Sequence, residues 1–163
     1  MSPDMNMRAK PPEDDRRIPV AALVLGAGGL VPFFMLSVAL LFDLSAIAPW
    51  DRLIRGSLAA YAALIASFLG GIRWGLALEE RDAARQAVLL AGSVLPALVA
   101  WVAMALPRPH DLTLLIALFL GLAVADVRLA MKGGIPRWFG TLRLALSVGV
   151  IGSLVLALAA ETL

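Results

Sequence analysis

The sequence predicts an all-α integral membrane protein, a bundle of five transmembrane helices with a cytoplasmic N-terminus and an external C-terminus. Hydrophobic residues make up 61% of the chain and the mean hydropathy is +0.88, whereas soluble domains are about 45–50% apolar. Five apolar runs of at least 20 residues follow one another. At about 1.5 Å per residue, 20 residues cross a hydrocarbon core of about 30 Å. Short connections make neighbouring helices antiparallel and adjacent.

The chain divides into a tail and one membrane domain. Residues 1–17 are expected to form a disordered cytoplasmic tail, because they combine three prolines with mixed charges. Residues 18–160 are expected to form the transmembrane domain, since lipid forces apolar runs to be helical. Its helices are predicted at about 18–42, 56–78, 87–106, 112–131 and 139–160. The first run is too long for a signal-peptide core, so we interpret it as a retained helix.

Two prolines interrupt the helix patterns. Pro32 follows a glycine-rich segment of the first helix, and Pro96 lies near the middle of the third. Both are expected to kink their helices, because proline removes a backbone donor. Such kinks line substrate sites in some transporters and serve helix packing in other proteins. Both alternatives stay open from the sequence.

The second helix carries small residues at four-residue spacing. Small side chains let helix backbones approach where hydrophobic burial offers no gain. The predicted packing residues are Ala59, Ala63, Ser67, Gly70, Gly71 and Gly75, where Gly70 belongs to a parallel row with Ala62 and Ala66. Similar rows lie on the fourth helix and the fifth. We interpret them as contacts within the bundle, and the sharper alternative is that one such face pairs two protomers.

Charged and aromatic flanks set the orientation. One side has eight basic residues near the helix ends and the other has three, which favours a cytoplasmic N-terminus. The eight are Arg8, Lys10, Arg16, Arg17, Arg81, Arg85, Lys132 and Arg137, and the three are Arg52, Arg55 and Arg108. The tryptophans are interpreted as interfacial anchors, Trp50 and Trp101 on the outer side and Trp74 and Trp138 on the inner side.

Three charged residues fall inside the apolar runs at one depth. Arg73, Asp126 and Arg143 each lie four or five residues from a helix end on the same membrane side, which places them about 6–8 Å below one surface. The arginines have the alternative of snorkelling to the headgroups. The short Asp126 side chain cannot, and an unpaired aspartate in lipid costs about 2.5–3.5 kcal/mol. We therefore predict an ion-pair cluster of Arg73, Asp126 and Arg143.

The composition excludes several kinds of chemistry. The chain has no cysteine and one histidine, His110, so disulfides, thiolate catalysis, iron–sulfur ligation and bis-histidine haem ligation are excluded. No second carboxylate lies in a span to pair with Asp126 for acid–base work. We predict no catalytic, cofactor-binding or metal-binding residues and therefore no enzyme. The sequence has no polar domain with a basic patch, so it gives no indication of nucleic-acid binding.

Several short motifs occur in an order that resembles the transmembrane protein 69 family. They are Gly29-Leu-Val-Pro32-Phe33, Tyr61, Ser67-Phe-Leu-Gly-Gly-Ile-Arg-Trp-Gly75, Pro96, Trp101, Asp126, Pro136-Arg-Trp138-Phe and Leu142-Arg143. The resemblance covers most of residues 20–158, and Phe68-Leu-Gly-Gly-Ile-Arg-Trp-Gly75 is its most specific part. It implies a membrane protein of about five helices and a domain of unknown function. It implies no established activity, ligand or partner.

Two functions remain open from the sequence. The first is a non-catalytic scaffold, assembly factor or accessory subunit of the bacterial inner membrane, or alternatively of the mitochondrial inner membrane. Its expected partners are the lipid bilayer and a larger membrane complex or a second copy. The second is a small transporter or ion or proton pathway that uses the layer of Arg73, Asp126 and Arg143, because charges inside spans are functional candidates. A lipid-modifying enzyme is a third option that no residues support.

Overall fold

The computed structural model describes residues 17–42, 50–131 and 135–161. Within these residues the chain forms five helices, which are α1 Val20–Leu41, α2 Trp50–Ala77, α3 Ala83–Ala105, α4 His110–Met131 and α5 Arg137–Ala160. Each is long and apolar enough to cross a membrane, which confirms the predicted fold class. The predicted disordered tail lies outside the described residues except for Arg17. The orientation of the termini stays a prediction.

Four helices begin before the apolar runs that predicted them. The helix α2 starts at Trp50 rather than residue 56, and α3 starts at Ala83 rather than residue 87. Hydropathy marks the part of a helix that suits lipid, whereas the helical backbone continues into polar flanks wherever it is capped. Before α3, the Asp82 side chain accepts a hydrogen bond of 2.8 Å from the Arg85 amide, as N-cap aspartates do.

The helices close into a ring. Each packs against its neighbours in sequence, α1 also packs along α5, and α2 contacts α4 across the middle. Successive helices alternate in direction, so an odd number leaves α1 and α5 parallel. At their contact, a Cβ atom on Gly26 would lie 2.8 Å from Cδ1 of Leu146, and one on Gly149 would lie 2.8 Å from Cδ1 of Leu30. Leucines of each helix therefore fit against glycines of the other.

The core is aliphatic with an aromatic centre. The largest fully buried apolar side chains are Phe33, Phe119, Leu58, Leu112, Leu115 and Leu154. The Phe33 ring packs edge-on against Tyr61 at 5.0 Å and against Phe119 at 6.2 Å between ring centroids. The Tyr61 hydroxyl donates to the carbonyl of Gly29 at 3.0 Å. This contact ties α1 to α2 about halfway along the bundle and satisfies a polar group there.

The helices α2 and α3 pack closely at Gly70, where a side chain would have the least room among the described glycines. A Cβ atom on Gly70 would lie 2.5 Å from the carbonyl oxygen of Ser93 and 3.8 Å from Cβ of Pro96. Ala62 and Ala66, on the same row as Gly70, are fully buried. Pro96 is buried at this contact, and both Pro32 and Pro96 lie inside continuous helices. The outer faces of the bundle expose many large apolar side chains, as a lipid-facing surface requires.

Candidate functional site

Asp126 binds two arginines from two other helices. Its Oδ1 accepts from Nη2 of Arg73 on α2 at 2.7 Å, and its Oδ2 accepts from Nε of Arg143 on α5 at 3.0 Å. The structure thus brings together the three charged residues that the sequence placed at one depth. We name Arg73, Asp126 and Arg143 the Asp126 cluster. Because Asp126 lies on α4, the cluster joins three helices.

The depth of the cluster follows from helix register. Arg73 lies four residues before the end of α2, Asp126 five before the end of α4, and Arg143 six after the start of α5. These offsets correspond to about 6–9 Å along the helix axes. Asp126 and Arg143 are only 6% and 7% exposed, so Arg143 is held by the carboxylate and does not reach outward. Arg128, two residues beyond Asp126, is exposed.

The cluster carries an excess positive charge. The ion pairs shown for both arginines end on Asp126, so the three formal charges add up to +1. Arg73 also donates to the carbonyl of Leu122 at 3.1 Å. A gap of about 10 Å³ lies beside the three side chains, which is about the space of one water molecule.

Two larger spaces lie beside the arginines of the cluster. A cleft of about 490 Å³ between α2, α3 and α4 includes Arg73 in its wall, together with Glu79, Glu80, Arg85 and several apolar side chains. An apolar cavity of about 320 Å³ lies between α1, α2 and α5, with Phe119 of α4 at its inner wall, and Arg143 is one of its lining residues. Arg73 therefore lines a cleft with several charged side chains in its wall, and Arg143 lines a cavity with mostly apolar walls.

Two polar atoms at the apolar cavity lack partners. Arg143 and Ser147, one helical turn apart on α5, both line the cavity. The Nη2 of Arg143 and the Oγ of Ser147 are buried without a hydrogen-bond partner among the described residues. Buried polar atoms are nearly always paired, and an unpaired one costs about 1–3 kcal/mol. The sequence places Ser147 on the same face of the fifth helix as Arg143, although Ser147 was not among the predicted residues of the cluster.

A second charged cluster closes the opposite end of the bundle. Glu161, the C-cap of α5, accepts from Arg55 of α2 and, at 3.0 Å, from Nη1 of Arg108. Arg108 also faces Asp111 of α4 at 3.4 Å and donates to the carbonyl of Arg55 at 2.7 Å. We name Arg55, Arg108, Asp111 and Glu161 the Glu161 cluster. It was not predicted from the sequence, because Arg55 and Arg108 were counted only as flanking charges and Asp111 and Glu161 were not considered.

The predicted packing residues of α2 divide between two faces. Ala59, Ala63 and Gly70 are buried, whereas Ser67, Gly71 and Gly75 are exposed. A Cβ atom on Gly71 or Gly75 would meet nothing within 4 Å among the described residues. A four-residue step advances about 40° around a helix, so the row from residue 59 to residue 75 turns about 160°. The row therefore begins in the core and ends on the outer surface.

The remaining predicted positions lie near the helix ends. Trp74 and Trp101 are exposed and Trp138 is half-buried, with its ring edge-on to Phe139 at 5.8 Å. The Trp50 side chain is outside the described part of the structure, although its backbone begins α2. His110, the first residue of α4, is exposed. No group of three or more histidine, aspartate or glutamate side chains that could hold a metal occurs among the described residues.

Comparison with known proteins supports the motifs of the sequence. Residues 18–159 match the family described as "Protein of unknown function (DUF3429)". The chain is 37% identical to transmembrane protein 69 of Xenopus tropicalis over 139 residues, which are 84% of this chain and 53% of that protein. It is 30% identical to transmembrane protein 69 of Mus musculus over 147 residues, which are 89% of this chain and 58% of that protein.

The matches cover nearly all of the membrane domain but little more than half of each relative. The chain spans about half the length of the curated relatives that it matches. No solved structure matches the chain. The matched region contains the Asp126 cluster and the helices that surround the apolar cavity. The chain therefore belongs to the DUF3429 family, the family of transmembrane protein 69.

Proposed function

We propose that this membrane protein is a non-catalytic component, a scaffold, assembly or accessory subunit of a larger membrane complex. The observation that carries the proposal is the double pairing of Asp126, whose two carboxylate oxygens are bound by arginines from two other helices. A carboxylate held in this way serves to join α2, α4 and α5. The gap beside it has space for about one water molecule, which favours a holding role over an open pathway.

The exposed half of the small-residue row on α2 supports a partner that packs a transmembrane helix against it. Ser67, Gly71 and Gly75 face outward next to the exposed Phe68 and Trp74. Small residues on a lipid-facing surface let a second helix approach closely, and close packing is the main source of helix association in lipid. The partner is a helix of another membrane protein or of a second copy.

Crosslinking in intact membranes tests the proposal. We expect an amine- or carboxyl-reactive crosslinker to convert the tagged chain into a larger adduct. The variant Gly71→Leu is expected to lose the adduct, because it adds bulk to the proposed contact face. The matched control Gly152→Leu lies on α5, where the glycine is also exposed with nothing within 4 Å, and it should retain the adduct. A wild-type chain that remains monomeric would contradict the proposal.

We further propose that the chain resides in the bacterial inner membrane, or in the mitochondrial inner membrane, with α1 starting on the cytoplasmic or matrix side. The excess of basic residues on that side, among them Arg81 and Arg85, supports this orientation. The natural chain has no cysteine, so single cysteines can be introduced as Arg81→Cys and Pro107→Cys. An impermeant maleimide should label the second in intact cells and the first after permeabilisation. The reverse pattern would overturn the orientation.

A transport role is the second candidate, and one observation favours it. The cleft between α2, α3 and α4 includes Arg73 in its wall and the apolar cavity includes Arg143, so each of the two arginines that bind Asp126 lines a separate space. Charged residues in such positions are typical of proton and ion pathways. Purified protein in vesicles that enclose a pH-sensitive dye would then show a proton flux that Asp126→Asn abolishes. A flux equal to that of empty vesicles contradicts proton transport.

A further inference from the structure

Two polar residues in the wall of the apolar cavity, Arg143 and Ser147, are not fully satisfied by the described part of the protein. Arg143 is 7% exposed and Ser147 is 2% exposed, and each leaves one polar atom without a partner among the described residues. Both atoms are hydrogen-bond donors, since a guanidinium has no acceptor and a hydroxyl can turn its proton toward a ligand. This part of the cavity wall therefore suits a ligand group that accepts hydrogen bonds.

The rest of the cavity suits a hydrocarbon chain. Its walls are almost entirely aliphatic and aromatic, and its inner end is formed by Phe33, Phe119 and Val150. Trp138 and Val150, the first and last residues of α5 that line the cavity, lie one and thirteen residues from the start of α5, so the cavity extends from about 2 Å to about 20 Å along the helix. This depth corresponds to one leaflet, because half of the hydrocarbon core is about 15 Å thick.

The cavity meets the lipid-facing surface between α1 and α2. Leu25 of α1 is 76% exposed and Phe68 of α2 is 65% exposed, and both line the cavity. An apolar molecule in the bilayer can therefore enter sideways without crossing water. The volume of about 320 Å³ is at the lower end of the usual range of about 300–1,000 Å³ for small-molecule sites, which suits one alkyl chain better than two.

Charge selects the kind of head group. The Asp126 cluster adds up to +1, because two arginines share one carboxylate. A positive charge buried at membrane depth is stabilised by a nearby anion. An oxyanion beside Arg143 and Ser147 would accept from Arg143 Nη2 and Ser147 Oγ, and one negative charge there would bring the sum to zero.

We propose that the apolar cavity binds one alkyl chain whose oxyanion head, a carboxylate or a phosphate, pairs with Arg143 and Ser147. This inference goes beyond the proposed scaffold role and does not depend on it. The chain lies against α1 and α2 with its inner end near Phe33 and Phe119. The shared chemistry has two sources, a free fatty acid or a phospholipid with one chain in the cavity.

Native mass spectrometry of the whole protein, released from nanodiscs of zwitterionic lipid, tests the proposal. The three probes are palmitate, palmitoyl-lysophosphatidate and uncharged monopalmitoylglycerol, which share one chain and differ in the head group. We expect one equivalent of at least one anionic probe to bind and to saturate. Palmitate binding indicates a free fatty acid, and lysophosphatidate binding without palmitate binding indicates a phospholipid.

Matched variants separate the cavity from general lipid adhesion. Ser147→Ala removes the unpaired hydroxyl and is expected to weaken anionic binding about two- to tenfold, the effect of one hydrogen bond. The control Ser153→Ala lies on the same helix, where the hydroxyl already donates to the carbonyl of Gly149 at 2.9 Å, and its binding should be unchanged. Ala22→Phe fills the cavity wall and should abolish binding, whereas Ala21→Phe, at an exposed residue outside the cavity, should not.

Three results would overturn the proposal. The first is the absence of any saturable equivalent of either anionic probe. The second is equal affinity for monopalmitoylglycerol, because the positive charge would then select nothing. The third is unchanged binding in both Ser147→Ala and Ala22→Phe. Neither variant removes a charge of the Asp126 cluster, so the test does not rely on Arg143→Gln remaining folded.

Discussion

The two ends of the bundle use the same side chains to different effect. The Glu161 cluster pairs two arginines with two carboxylates and adds up to zero, whereas the Asp126 cluster pairs two arginines with one and adds up to +1. The first lies at the start of α4 and the end of α5, with Arg55 about 8 Å into α2, and the second lies about 6–9 Å from the ends of its three helices. Only the second adjoins a cavity with an unpaired donor, as far as the described residues extend. Charge balance thus distinguishes an end that is closed from an end that can accept a ligand.

The largest expected effect is that of Asp126→Asn. The substitution leaves Arg143 buried without its carboxylate, and breaking a buried ion pair costs about 3–5 kcal/mol. We expect a clear fall in the melting temperature of the protein in detergent, measured by circular dichroism. Arg128→Gln is the control, since that arginine is exposed on the same helix, and it should melt as the wild type does. A melting curve of Asp126→Asn that matches the wild type would remove the structural role of the Asp126 cluster.

A smaller effect is expected from Gly70→Ala. This variant tests whether the close packing of α2 against α3 also stabilises the end of the bundle that contains the Asp126 cluster. The added Cβ would lie 2.5 Å from the Ser93 carbonyl, so α2 and α3 must separate, at a cost of about 1–3 kcal/mol. Gly71→Ala, one residue away with open space around it, should be neutral or stabilising by up to about 1 kcal/mol because alanine favours helix. Equal melting temperatures for the two variants would show that the close approach has no energetic weight.

Glu161→Gln is expected to cost about 1 kcal/mol, because the Glu161 cluster is nearer to solvent than the Asp126 cluster. The effect should shrink at 1 M salt, where the screening length falls to about 3 Å. The effect of Asp126→Asn should be nearly independent of salt, since its partners are more deeply buried. Melting in low and high salt measures both. The same salt dependence for the two variants would contradict the distinction between the ends.

The smallest expected effect on stability is that of Ser147→Ala. Its hydroxyl is buried without a described partner, so removing it should leave the melting temperature unchanged or raise it slightly, by up to about 1 kcal/mol of stability. Destabilisation by Ser147→Ala would show that the hydroxyl is already satisfied in the apo protein, which would weaken the case for a ligand at that end.

Much of the fold and part of the candidate site could be predicted from the sequence. Hydropathy located the spans, because the requirement for internal hydrogen bonding in lipid leaves few alternatives. The depth of Arg73, Asp126 and Arg143 followed from counting residues to the helix ends. Hydropathy does not locate helix starts, and α3 begins before its apolar run at the N-cap residue Asp82.

Features that depend on how helices are rotated were not predictable from one sequence. The pairing of Arg55 with Glu161 joins residues 106 positions apart, and no local pattern marks it. The row from Ala59 to Gly75 was interpreted as one packing face, although its rotation about the helix takes its second half out of the core. The apolar cavity likewise exists only because four helices leave space between them.

The excess charge of the Asp126 cluster has an electrical consequence. The cluster lies about 6–9 Å into a hydrocarbon core of about 30 Å, so about a quarter of the membrane potential falls between the nearer surface and the cluster. One elementary charge that crosses the whole membrane changes in energy by about 2.3 kcal/mol per 100 mV. An anion that moves from the headgroups to Arg143 therefore gains or loses about 0.6 kcal/mol per 100 mV. Occupancy of the cavity would follow the voltage of the membrane about threefold per 100 mV, with a sign set by the orientation of the bundle.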